Sequence, residues 1–189
     1  SVYGGDIPLA CAGIITKVNM IFMSFVIGIS QGIQPIIGFN YGAEKYDRVR
    51  KSYLLALGTA TVLSGIAFFC FQVFPRQIIS VFGSGSELYF KFSERYFRIY
   101  MFLTLINGIQ PVTSNFFNSI GKSQLGVFMS LTRQILFLLP LIVIFPLFMG
   151  IDGVMYAGPI ADAAAAIACG YFMLRELKEL SAMDKKKKE

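Results

Sequence analysis

Histidine is absent from the 189 residues, and acidic residues number only 11 against 17 Lys and Arg. Without histidine the chain lacks the commonest general base and the commonest metal ligand. The three cysteines, Cys11, Cys70 and Cys169, are odd in number and lie singly in apolar stretches. They read as small buried hydrophobes, with neither disulfide nor metal spacing. The glycine-containing stretch 38–43 lacks GxxxxGK[ST] spacing, which excludes a nucleotide-cradling loop. Charge of either sign is scarce: 15% of residues are charged and 55% are hydrophobic, and mean hydropathy is +0.63. A soluble domain has about a quarter of its residues charged. Too few charges remain here to wet a protein surface, so the surrounding solvent is lipid. The net charge of +6 sits between apolar runs and in the 185–188 lysines, a distribution that suits cytoplasmic loops and not a nucleic-acid partner. No basic segment, short apolar core and cleavage site open the chain, which starts at Ser1 and reads as an internal piece of a longer protein. An intramembrane enzyme would need a constellation of His, Ser or acidic residues. Asp162 is the one clearly intramembrane carboxylate, so no enzyme is expected.

What is present is apolar length. A spanning helix takes about 20 mostly apolar residues, because the hydrocarbon core is about 30 Å thick. Five segments qualify: 7–37, interrupted by Lys17; 53–74, without a charge; a third that opens in the charged turn 94–98 and is uncharged over 99–121; 125–149, with Arg133; and 153–174, with Asp162. The predicted fold is an all-α integral membrane protein of five transmembrane helices. The connections 42–52, 75–86, 121–124 and 150–152 leave no room for a folded extramembrane domain. Pro75 to Phe82 carries an apolar face and Arg76, which suits an interfacial helix. The spans are assigned to residues 1–180, and 181–189 to a basic tail.

Lys and Arg in loops set orientation. Lys45, Arg48, Arg50 and Lys51 lie in the first connection, Lys122 in the third, and Arg175, Lys178 and 185–188 follow the last span. The other side holds mainly Arg76 and Lys91, with Arg95 and Arg98 as exceptions. The chain is therefore expected to start outside and to end in the cytoplasm. A cytoplasmic N-terminus would then require at least one further helix before Ser1.

Gly32-Ile33-Gln34-Pro35 recurs as Gly108-Ile109-Gln110-Pro111, and Asn40 and Asn115 follow the two prolines. Proline removes a backbone hydrogen bond and bends a helix. In lipid, Gln or Asn can supply the freed carbonyl with a donor. The echo is either a coincidence of common membrane residues or one packing unit used twice.

The block from Gly28 through Gln31-Gly32-Ile33-Gln34-Pro35 to Asn40-Tyr41-Gly42-Ala43, with Arg48 and Lys51 after it, resembles the second lobe of the multidrug and toxic compound extrusion (MATE) family. So does Leu139-Pro140 followed by Gly150-Ile151-Asp152-Gly153 and the run to Asp162. The resemblance covers the chain to about Leu180. It implies a twelve-helix transporter of two six-helix lobes, of which this is most of one lobe, helices eight to twelve, in the plasma membrane. It also implies export of bulky, often cationic or amphipathic compounds against inward flow of protons or sodium ions, with no cofactor. The implied partners are small-molecule drugs or organic cations, membrane lipids and the first lobe of the same chain. In one branch of the family an acidic residue in helix ten binds the coupling ion. Residues 96–121 here contain Arg98 but no acid, so the resemblance shifts to the bacterial and archaeal branch, whose coupling carboxylate sits in the first lobe.

The candidate cavity or gate residues are Lys17, Gln34, Pro35, Asn40, Gln110, Pro111, Asn115, Arg133 and Asp162. A charge within a span costs about 3 kcal/mol on insertion scales, so it rarely faces lipid. Lys17, about ten residues and thus about 15 Å into the first span, either snorkels or lines the cavity. Arg133 keeps its proton and is read as a structural pair or a gate residue. Asp162, after Pro159 and before four alanines, is a packing acid or an ion-linked one. Gly28 and Gly32 form a GxxxG pair suited to close helix approach. A lipid-linked glycan flippase of the same superfamily and a non-catalytic membrane subunit are the competing functions. Flippase cavities carry many Arg and Lys, whereas only Lys17 and Arg133 are available here.

Overall fold

The computed structural model describes residues 6–83 and 85–188, which are helical with no strand among them. Its elements are α1 (Asp6–Gly32), α2 (Gln34–Gly42), α3 (Tyr46–Val73), α4 (Pro75–Phe82), α5 (Glu87–Tyr100), α6 (Ile109–Ser119), α7 (Ser123–Leu131), α8 (Leu139–Met149) and α9 (Ile151–Lys188). A 3-10 turn, Thr104–Ile106, joins α5 to α6, and a π-helical stretch, Thr132–Leu138, joins α7 to α8.

Among the described residues four helices are long and apolar enough to cross a membrane: Pro8–Gly42, Tyr46–Val73, Ser123–Met149 and Asp152–Lys187. The third predicted span is not one helix. It is α5, the 3-10 turn and α6 end to end, and it starts at Glu87 instead of in the 94–98 turn. Pro111 is the cause: it lacks the N–H that would bond to the Asn107 carbonyl, and its ring clashes there. The chain tightens just before, where the Thr104 hydroxyl donates to the Met101 carbonyl at 2.7 Å. Gly108 lets this segment lie against α3, since a Cβ on it would stand 3.3 Å from the Ala60 methyl.

The other irregularities also trace to proline. Pro35 separates α1 from α2, yet Ile33 and Ile37 keep their N–H bonds at 3.3 and 3.0 Å, so this span bends without unwinding. Pro140 cannot donate to the Leu136 carbonyl, and the wider π turn before it accommodates the ring. By contrast α9 tolerates Pro159 and runs through residue 180 to Lys188, so most of the predicted tail is helix.

α6 occupies the centre and packs on α1, α2, α3, α7 and α9. α1 and the α7–α8 span make no substantial direct contact among the described residues, and α6 packs on both α1 and α7. Gly126 brings α7 so close to α6 that the Ser114 hydroxyl donates to the Gly126 carbonyl at 2.7 Å. Gly28 and Gly32 are exposed, with nothing within 4 Å of a Cβ built on either, so the GxxxG pair does no packing within this lobe. Cys11 and Cys169 are buried among apolar side chains, as expected.

Ion pairs tie both ends. The Lys122 ammonium donates to both oxygens of the buried Glu176, at 2.7 and 2.6 Å, and to Glu179 at 3.3 Å. Partial burial pulls the Lys122 pKa down, but the two carboxylates outweigh it and hold the ammonium above its ordinary value of 10.5. The clasp is therefore intact below that pH and is lost only on strong alkalinisation. At the other end Arg76 of α4 grips Glu87 through two bonds of 3.1 and 2.7 Å and lies over the Phe90 ring. This holds the amphipathic α4 against α5.

Candidate functional site

Arg133 lies in the π stretch, ten residues from the start of α7, and Asp162 lies eleven residues into α9. At 1.5 Å per residue both sit about 15 Å from their helix ends, near mid-membrane. They find each other: the Arg133 Nε–H donates to Asp162 Oδ1 at 2.5 Å. The Asp162 side chain is 5% exposed and that of Arg133 22%. Asn107, just beyond the 3-10 turn, lines the same small cavity as Asp162. Two opposite charges at this depth must be paired and hydrogen-bonded to persist. Three backbone irregularities converge on the pair: the 3-10 turn, the π stretch and Pro159, three residues before Asp162. Beside it is a cavity of about 10 Å³, lined by Met23, Ile106, Asn107, Gln110, Arg133, Asp162 and Ala165, which is room for one water. Asn107 Oδ1 is buried there with no partner among the described residues.

The two kinks form a second polar cluster. The Ser30 hydroxyl donates to the Pro111 carbonyl at 2.9 Å, and the Asn115 amide donates to that hydroxyl in turn. The Gln34 amide then donates to Asn115 Oδ1 at 2.8 Å. The two Gly-Ile-Gln-Pro turns are thus staggered: the bonds pair Ser30 with Pro111 and Gln34 with Asn115. This sets Pro35 about five residues, or about 7.5 Å, further along than Pro111, and the expectation of equal depth is corrected. The expectation that Gln and Asn cap freed carbonyls is corrected: Gln34 and Asn115 bridge helices instead. The echo also stops short of its last members. Asn40 bonds its own helix at the Ile36 carbonyl, and Gln110 reaches the Met129 carbonyl at 3.4 Å. Pro35 is exposed and Pro111 half-buried.

Lys17 is not brought to either cluster. The Phe22 ring packs edge-on against Phe71, with centroids 6.1 Å apart, and Phe71 is in the last turn of α3. Lys17 lies about 7.5 Å further out along α1, level with the end of α3. Its depth of about 15 Å counted from the helix start is therefore corrected, because α1 begins well beyond α3. At this level a lysine reaches the interface along its stem.

Residues that sequence reasoning passed over include Ser30, fully buried between the kinks, and Asn107. The Tyr53 hydroxyl, 3.0 Å from that of Thr113, and Glu176 were also passed over. Ser30 and Asn107 carry only a weak signal, a polar residue four or five positions before a proline.

The sequence model of the MatE family matches residues 1–144. The chain belongs to the MatE family. Among curated relatives it is 22% identical over 174 residues to a FAD transporter of Shewanella oneidensis, covering 92% of this chain and 38% of that protein. It is 21% identical over 166 residues to the multidrug export protein MepA of Staphylococcus aureus, covering 87% of this chain and 36% of that one. Among solved structures, the MATE multidrug transporter DinF-BH, in complex with a small molecule, matches at 34% identity and a TM-score of 0.79, over 86% of this chain and 36% of that one. An outward-facing MATE transporter matches at a TM-score of 0.87 and 18% identity over 95% of this chain and 41% of that one, a likeness of fold. The chain spans less than half the length of these MatE relatives, which is the extent of one lobe.

Within this MatE lobe the polar side chains are concentrated where helices bend.

Proposed function

We propose that the chain is the second lobe, from its second helix onward, of a twelve-helix secondary exporter in the plasma membrane. It exchanges protons or sodium ions for bulky, often cationic or amphipathic compounds by alternating access. The observation that carries this reading is membership of the MatE family, joined to two proline-kinked segments that are hydrogen-bonded across. A lobe that opens alternately to two sides must bend its helices, and linked proline kinks offer places to bend. The broken α5–α6 span has no carboxylate between Ile99 and Ser119, and Asp162 is already engaged by Arg133. The coupling carboxylate therefore belongs to the first lobe. A lipid-linked glycan flippase fits less well, because Arg133 is the one cation in the mid-membrane cluster. The relative named for FAD extends the cargo to compounds with acidic groups.

The ends carrying Lys45 and Lys122 are assigned to the cytoplasm by loop charge. Single cysteines in an otherwise Cys-free intact protein test the sidedness. A cysteine at position 152 should react with an impermeant reagent added outside, and one at position 45 only after permeabilisation. Labelling of position 45 from outside would invert the lobe.

A further inference from the structure

We propose that Arg133 is a cargo-recognition residue, and that the free end of its guanidinium selects compounds bearing an ionised carboxylate or phosphate. This deepens the exporter reading and rests on it. Asp162 takes only the Nε–H of Arg133. The two terminal nitrogens, with four N–H donors between them, have no partner among the described residues. The side chain keeps 22% exposure at a depth where lipid is the alternative solvent. An arginine engaged purely in structure would close its fork on the carboxylate with two parallel bonds; this one is turned side-on and leaves the fork open.

The fork lies beside the small cavity that Arg133 shares with Met23 and Gln110. Lipid cannot satisfy these donors, so what meets them at this depth is water, cargo or protein. Asp162 contributes one unit of negative charge to cancel the arginine, so the pair is locally neutral. An arriving acidic group meets four oriented donors and no second carboxylate among the described residues at this depth. Bidentate binding of a planar oxyanion is what such a fork does best. Because Asp162 holds the Nε side, the fork is pre-aimed and loses little freedom on binding. An organic cation gains nothing from it.

The test uses the intact transporter in proteoliposomes with two dyes of one scaffold: fluorescein, which carries an ionised carboxylate, and rhodamine 6G, a cationic ester. Removing Arg133 alone would leave Asp162 unpaired, so the informative variant is Arg133→Gln with Asp162→Asn. This double variant should lose at least tenfold in fluorescein transport and keep rhodamine 6G within twofold. Arg133→Lys, a point charge without the fork, should fall between. Equal transport of fluorescein by wild type and the double variant would overturn the proposal, as would equal loss of both dyes from folded protein. Wild type that moves rhodamine 6G but not fluorescein also overturns it while leaving the exporter reading intact. Movement of neither dye under any gradient counts against that reading itself.

Discussion

Replacing Asp162 by Asn should destabilise the protein by about 3 kcal/mol, the cost of leaving a buried charge without its partner. Arg133 has no other carboxylate within reach among the described residues, and its Nε–H would lose the one charged acceptor it has. Adding Arg133→Gln should restore most of the loss, because two neutral amides of similar size can bond to each other and to Asn107. Thermal unfolding of purified single and double variants in detergent gives the coupling directly as a double-mutant cycle. A double variant as unstable as Asp162→Asn would show that the pair contributes through something other than mutual compensation. Export by Asp162→Asn should fall with the amount of folded protein, and the fraction that remains folded should still respond to an ion gradient.

The second large effect is expected at the kinks. Asn115→Leu removes the amide that joins Gln34 to Ser30, and leaves the half-buried Gln34 amide without its partner and the buried Ser30 hydroxyl with the Pro111 carbonyl alone. Each unsatisfied group costs about 1–3 kcal/mol. The penalty falls on whichever conformation keeps the kinks together. A difference of about 1.4 kcal/mol between two conformations changes their ratio tenfold. Pro35→Ala and Pro111→Ala act on the kinks directly, since each restores a backbone donor and favours a straighter helix. Distances between spin labels at position 45 and in a cytoplasmic loop of the first lobe report the balance. All three variants should redistribute the populations at normal expression. Distributions identical to wild type would make the kinks static packing features.

Hydropathy made the membrane character and four of the spans legible, because about 20 apolar residues in a row leave few alternatives. The third span was legible as apolar length but not as a broken helix. Composition between 99 and 121 does not record that Pro111 and Gly108 act together against Ala60. The ion pair was within reach of sequence alone. Arg133 and Asp162 lie at equal depth from opposite ends of successive antiparallel spans, so depth would have matched them. Lys17 misled because depth was counted from the start of its own helix, whereas the level that matters is set by the neighbouring α3. The repeat of Gly-Ile-Gln-Pro found the two bends but not their levels, which the Ser30–Pro111 and Gln34–Asn115 bonds stagger by about five residues. Which polar side chain bridges them depends on helix rotation, and four common residues cannot encode that.

Gradient-driven dye movement tests the central claim most directly. The intact transporter is reconstituted in sealed vesicles, and rhodamine 6G accumulation is followed after a proton or a sodium gradient is imposed. Accumulation should exceed that of protein-free vesicles only while one of the two gradients stands. It should collapse when an ionophore dissipates that gradient, and it should survive Arg133→Gln with Asp162→Asn, because coupling is assigned to the first lobe. Dye movement indifferent to both gradients, in vesicles whose protein is folded, would contradict secondary active export. Loss of gradient dependence in the double variant alone, with dye binding retained, would move the coupling site into this lobe.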